Sequence, residues 1–181
     1  MSQTEIRFSG SGGQGLITAG IILAEAALYD GKNAIQSQSY GPEARGGASK
    51  AEVIISNEEI FYPKVQVPDL SLSLTQVATD KYIEETKEDG MIIVDSAIEL
   101  PNGLDVKNII TLPILQTASE KIGKSIVANI VALGVVAGLT GLATPESVEK
   151  AVLGRVPKGT EDLNKMALAE GYKLAESVTV K

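Results

Sequence analysis

The sequence predicts an α/β protein: three layers, α/β/α, around a mostly parallel sheet with an antiparallel addition. Short β-branched runs such as Met91–Val94 alternate along the chain with longer stretches of helical spacing such as Leu16–Leu28. Near-continuously apolar strands of this kind suit a sheet covered on both faces. A third signal is Lys50–Ser56, followed after Asn57–Glu59 by Ile60–Tyr62, which has the spacing of an antiparallel pair. With 181 residues, 44% apolar and 22% charged, the chain fits a single domain over 1–181 that can bury a sizeable core.

The elements follow in order. Glu5–Ser9 is β-prone and leads into Gly10–Gly15, after which Leu16–Leu28 is helical and Asp30-Gly31 stops it. Lys32–Ser37 is a second strand, and SQSYGPEARGGAS is too rich in turn residues for regular structure. Leu70–Leu74 alternates Leu with Ser, the pattern of a strand with one buried face. Gln76–Glu88 predicts a surface helix, Met91–Val94 a buried strand and Asn108–Ile114 another. Thr117–Ile122 and Ile126–Leu139 predict helices. Thr144 precedes Pro145, a capping hydroxyl before proline at the first helical position, so a helix should run to Leu153. Thr160–Glu176 closes the series.

Composition narrows the chemistry. The chain has no Cys and no His, which removes thiolate metal sites, iron–sulfur ligation by its own cysteines and every imidazole-based triad. Its 16 basic residues against 23 acidic ones give a net charge of −7, and the cations are scattered, so nucleic acid is not an expected partner. The 14 residues of Ile126–Leu139 would rise ~21 Å as a helix, short of the ~30 Å hydrocarbon core, so a buried helix is expected and no membrane partner. MSQTEIRFSG has no basic stretch before an apolar core, so the sequence predicts no signal peptide and a cytoplasmic protein.

Two segments could carry chemistry. Gly10-Ser11-Gly12-Gly13-Gln14-Gly15 matches G-x-G-x-x-G between a strand and a helix. Such glycines let a ligand approach the backbone, and free N–H groups at the helix start attract anions. A dinucleotide site would also need an acid about 20 positions on, and Gln36-Ser37-Gln38-Ser39 offers none. Another phosphate ligand, a subunit contact and a purely structural turn stay open. The second segment is Ser39-Tyr40-Gly41-Pro42-Glu43-Ala44-Arg45-Gly46-Gly47, where Arg45 suits bidentate carboxylate or phosphate recognition. Its bland counterpart is an Arg–Glu surface pair on a turn. In a doubly wound sheet both loops open at the carboxyl edge and share one cleft. A relaxed P-loop pattern at Ala118–Ser125, with Asp95 ending an apolar strand, is the weaker candidate. Ala-Ser-Glu-Lys-Ile consists of helix formers, so a short helix stopped by Gly123, with Ser125 capping the next, is expected instead.

GSGGQG near the amino terminus, SYGPEARGG about 25 residues on, and Ala128-Asn129 with Ala132-Leu133-Gly134 together resemble the gamma subunit of 2-oxoacid:ferredoxin oxidoreductases, nearest to the 2-oxoglutarate subtype. The resemblance extends over about residues 5 to 175 and implies a gamma-domain fold. It also implies a multi-subunit enzyme that oxidatively decarboxylates a 2-oxoacid to an acyl-CoA and reduces ferredoxin. Thiamine diphosphate and magnesium would sit in alpha and beta subunits, and iron–sulfur clusters in beta, delta or a ferredoxin-type subunit. This chain would then be inactive alone, with no catalytic residue and no metal, and an isolated homo-oligomer is compatible with it. The resemblance carries Gly10, Gly12, Gly13, Gln14, Gly15 and Arg45 over as a CoA or anion site. Tyr40, Gly41, Pro42, Glu43, Gly46 and Gly47 follow as interface residues. Alternative readings are a free-standing nucleotide- or CoA-binding α/β protein and a flavin or nicotinamide oxidoreductase.

Overall fold

The computed structural model describes residues 3–39, 47–104 and 108–178. Strand β1 (Gln3–Ser11) leads through the Gly-rich turn into helix α1 (Leu16–Tyr29), followed by β2 (Asn33–Gln38) and β3 (Ala48–Ser56). Next come β4 (Leu70–Ser73), α2 (Gln76–Tyr82), β5 (Met91–Asp95) and β6 (Asn108–Leu112). The chain then turns helical: α3 (Ile114–Gln116), α4 (Ala128–Thr140), α5 (Pro145–Arg155) and α6 (Glu161–Glu176). Six strands form one sheet in the order β2-β3-β1-β4-β5-β6. β1, β4, β5 and β6 are parallel neighbours, and β3 runs antiparallel to both β1 and β2. The antiparallel addition is therefore an insertion rather than an edge.

That insertion sets the geometry of the site. β1 and β2 both oppose β3, so they run the same way and end on the same edge of the sheet. Ser11 at the end of β1 pairs with Ala48, and Gln38 at the end of β2 pairs with Ala51. The two strands thus end on one edge of the sheet, on either side of the start of β3.

Alternate residues of each strand face different layers. Ile6, Phe8, Val53, Leu70, Leu72 and Ile93 join one apolar core with the buried residues of α1, α4, α5 and α6. α4 is apolar all round but for Asn129, with every residue from Ala128 to Ala137 buried, as expected of a helix enclosed by sheet and helices. It meets α6 where Gly134 faces Gly171, and a Cβ on Gly134 would lie 2.6 Å from the Leu168 carbonyl oxygen. Only hydrogen fits there. The opposite face of the sheet carries α2, a 3-10 turn over Ile83–Glu85 and a smaller cluster of Ile83, Ile92 and Val94 with Ile98 and Leu104. Helical material does cover both faces, but unequally. Among the described residues no helix is long and apolar enough to cross a membrane.

Several expected elements end differently. Residues 60–62 form no strand, because β3 already has a neighbour on each side, and Phe61 is 82% exposed. The helix expected over 76–88 ends at Glu85, where Thr86 turns its hydroxyl to Ser71 and Lys87 N donates to the Pro68 carbonyl. β6 stops at Leu112, since Pro113 has no N–H to give the ladder. The helix expected over 117–122 is one π-helical turn, Thr117–Lys121, continuing α3. Ser125 caps nothing; it opens a 3-10 turn, Ser125–Val127, that leads into α4. The Thr144 cap does form, with its Oγ1 accepting from Ser147 N at 3.3 Å ahead of Pro145.

Candidate functional site at the Gly-rich turn

Between β1 and α1 the chain reverses over four residues, and two side-chain contacts hold the reversal. Gln14 Oε1 accepts from Ser11 N at 2.8 Å, closing the turn on itself. Gly10 lies within β1, opposite Ser49, and a Cβ there would overlap Gln14 Oε1, so its lack of a side chain gives the Gln14 amide its place. Gly15 is the N-cap of α1 in the left-handed region, φ 74° and ψ 19°, with no capping side chain of its own. Its carbonyl accepts from Ala19 N and from Asn129 Nδ2, each at 3.1 Å. The second bond comes from the start of α4, 114 residues away.

A cavity of about 280 Å³ opens over this turn, lined by Ser11, Gly12, Gly13, Gly15, Leu16 and Ile17 and by Ser39 and Ser49. Among the described residues, the backbone N–H groups of Gly12, Gly13 and Gly15 find no hydrogen-bond acceptor. The first turn of α1 contains no acidic residue. Unpaired amides at a helix start favour negative charge, by ~0.3–2 kcal/mol for the terminus alone. The second motif reaches the same cavity through Ser39, its first residue, and Ser49 follows two residues after its last. Gly47 is half-buried, next to Ala48 and hence beside Ser11. Tyr40, Gly41, Pro42, Glu43, Arg45 and Gly46 lie outside the described residues.

Of the residues expected to bind a ligand, Gly12, Gly13 and Gly15 therefore line the cavity. Gly10 and Gln14 support the turn from within. Asn129, quoted in the sequence only as part of a motif, has a physical task that spacing could not reveal. Asp95 is spent on backbone: it accepts from Ala97 N at 3.0 Å and Leu115 N at 2.8 Å, fixing the turns after β5 and β6. Gly123 has φ +80° and ends the π-helical turn, so residues 118–125 contain helix where a P-loop would wrap phosphates.

The model of the family described as pyruvate ferredoxin/flavodoxin oxidoreductase matches residues 5–174. A 2-oxoglutarate synthase subunit KorC of Methanocaldococcus jannaschii is 52% identical over 179 residues, covering 96% of this chain and 95% of that one. A solved keto/oxoacid ferredoxin oxidoreductase gamma subunit from Geobacter sulfurreducens superposes with a TM-score of 0.86 at 50% identity, covering 98% of each chain. A 2-oxoglutarate:ferredoxin oxidoreductase from Magnetococcus marinus has the same fold within a longer chain. Its TM-score is 0.86 at 19% identity, over 100% of this chain and 32% of that one. The chain accordingly belongs to the pyruvate ferredoxin/flavodoxin oxidoreductase family and is of its gamma-subunit type.

Proposed function

We propose that the chain is the gamma subunit of a 2-oxoglutarate:ferredoxin oxidoreductase, a multi-subunit enzyme that converts a 2-oxoacid and CoA to acyl-CoA and carbon dioxide while reducing ferredoxin. The observation that carries this reading is 52% identity, across nearly the whole of both chains, to a 2-oxoglutarate synthase subunit. The free-standing alternatives lose support for the same reason: several relatives matched over most of their length are named as subunits. The chain works as one gamma-type domain, which the single continuous sheet supports. It contributes no catalytic residue, and with neither Cys nor His it leaves cluster ligation to its neighbours. Thiamine diphosphate with magnesium belongs to alpha and beta subunits, clusters to beta and a delta or ferredoxin-type subunit, and the assembly works in the cytoplasm.

The Gly-rich turn and the segment around Arg45 form one surface at the alpha–gamma junction. Support comes from the cavity that Gly12, Gly13 and Gly15 share with Ser39 and Ser49, and from the Ser11–Ala48 register. There Arg45 and the start of α1 meet a CoA phosphate or a partner carboxylate. A native pull-down with mass spectrometry should recover thiamine-binding and ferredoxin-type partners, and recovery of none would sink the subunit reading. Arg45→Ala should raise KM for CoA in the assembled enzyme or block assembly. Unchanged values for both would remove Arg45 from the site.

A further inference from the structure

We infer that Asn129 is the positioning residue that holds the Gly-rich turn in its binding shape, coupling the start of α4 to the start of α1. The inference rests on the reading of that turn as a surface for CoA or a partner subunit. Asn129 is the polar exception in a buried run from Ala128 to Ala137, and it is itself only 9% exposed. A buried amide in apolar surroundings is costly unless its hydrogen bonds are made. Here the amide nitrogen gives its bond to one atom, the carbonyl oxygen of Gly15.

That carbonyl is well chosen for control. It belongs to the residue where strand geometry becomes helix geometry, and it already accepts the first helical bond, from Ala19 N. A second donor at 3.1 Å fixes the orientation of the peptide unit that joins the Gly15 carbonyl to the Leu16 N–H, and so the angle at which the turn that lines the cavity enters α1. The left-handed φ of +74° at Gly15 is therefore held from outside the turn. The contact also restricts residue 15: a Cβ there would stand 2.7 Å from Asn129 Nδ2 and 3.1 Å from its Cγ. Gly15 and Asn129 are thus required together, one for backbone shape and close approach, the other for the bond. Gln14 and Asn129 divide the labour, since Gln14 closes the turn locally and Asn129 sets its angle to the rest of the molecule.

The test uses the assembled enzyme with Asn129→Ala and Asn129→Asp in this subunit, beside Gly13→Asp. Asp keeps the shape of Asn but loses the N–H donor, so it separates packing from hydrogen bonding. Gly13 has nothing within 4 Å of where a Cβ would lie but a φ of +90°, so Gly13→Asp is read against Gly13→Asn, which strains the backbone alike without the charge, and the difference reports on whether anything anionic meets the turn. Both Asn129 variants should raise KM for CoA, or the dissociation constant for the catalytic subunits, by about five- to tenfold with kcat within about twofold. Amide hydrogen exchange at Gln14 and Ala19 of the purified subunit, whose N–H groups bond to the Ser11 and Gly15 carbonyls, should accelerate in both, while that of the β4 and β5 amides stays as in the wild type. Unchanged exchange at Gln14 and Ala19 in Asn129→Ala, or wild-type behaviour of Asn129→Asp, overturns the positioning role. If Gly13→Asp matches Gly13→Asn in both KM and assembly, the reading of the turn as a surface that meets an anion fails instead. Faster exchange at Gln14 and Ala19 in the Asn129 variants without a change in KM or assembly separates the two failures, because it keeps the latch and discards its functional consequence.

Discussion

The two faces of the sheet are built from alternate residues of the same strands, yet they are held by different physics. Toward α1 and α4, Ile6, Phe8, Leu70, Leu72 and Ile93 are each 3% exposed or less and meet only other apolar groups. Toward α2, the residues between them include Arg7, Ser9, Ser71 and Ser73, and these are buried too. Arg7 Nε donates to Glu52 Oε1 at 2.8 Å, its Nη1 pairs with Glu85, and its guanidinium lies 5.5 Å from the centre of the Tyr82 ring. Lys50 reaches the same Glu52 oxygen at 2.9 Å. Thr86 and Thr79 donate to Ser71 and Ser73, each at 2.8 Å. The apolar face has four helices to cover it and is satisfied by area alone. The other face has a seven-residue helix and a 3-10 turn over buried polar groups, so directional bonds fix α2 in its place. Non-directional burial sets how stable the sheet is; the hydrogen-bonded face sets where its cover lies.

Breaking the apolar face should cost most. Phe8→Ala removes a fully buried ring and should destabilise the purified chain by ~3–5 kcal/mol in urea unfolding. Arg7→Met leaves Glu52 and Glu85 without their shared cation and should cost about 3 kcal/mol. Adding Glu52→Leu should recover part of that loss, a coupling of ~0.5–3 kcal/mol readable in a double-mutant cycle. Simple additivity would mean that this face is held by area after all. Thr86→Val deletes one hydroxyl bond and should cost ~1 kcal/mol, the smallest of the three.

Acid sharpens the contrast from the helical side. Glu170 on α6 is held below the ordinary carboxylate range by hydrogen bonds from Lys121 and then Lys173. A lowered folded-state value means that the unfolded chain binds the proton first as pH falls. The contribution is complete above the unfolded carboxylate range, at about pH 5 and up, and fades as pH drops through the folded value. Thermal unfolding of Glu170→Gln should therefore show less loss between pH 6 and pH 3 than the parent, with the gap closing at low pH; parallel curves would deny Glu170 this role. Asp30 behaves alike: Ser147 and Thr144 donate to it and hold it low, tying the end of α1 to the start of α5.

Much of this fold is legible in the residues. Leu16–Leu28 has the spacing of α1, Thr144-Pro145 marks the start of α5, and the Leu-Ser alternation of 70–73 marks β4, although both of its faces are buried and not one, because α2 and the 3-10 turn cover Ser71 and Ser73. The Gly-rich turn is recognisable because glycine serves positions that other residues fill badly. Strand 60–62 misleads, since pairing depends on which edges remain free and that is a property of the finished sheet. The tasks of Asn129, Arg7 and Asp95 are equally hidden, because each has a partner 20 or more residues away.

Local patterning and composition fixed the class of fold, the position of the turn and the absence of cysteine and histidine chemistry. These depend on the period of apolar residues and on which functional groups exist at all. Tertiary structure alone decided that β3 lies between β1 and β2, that Ser39 and Ser49 share one cavity with the Gly-rich turn, and that an amide from α4 holds the carbonyl of Gly15. The reason is physical: hydrogen bonds and strand pairing over long separations form only where the packed core brings their partners together, and no short window of sequence contains both ends.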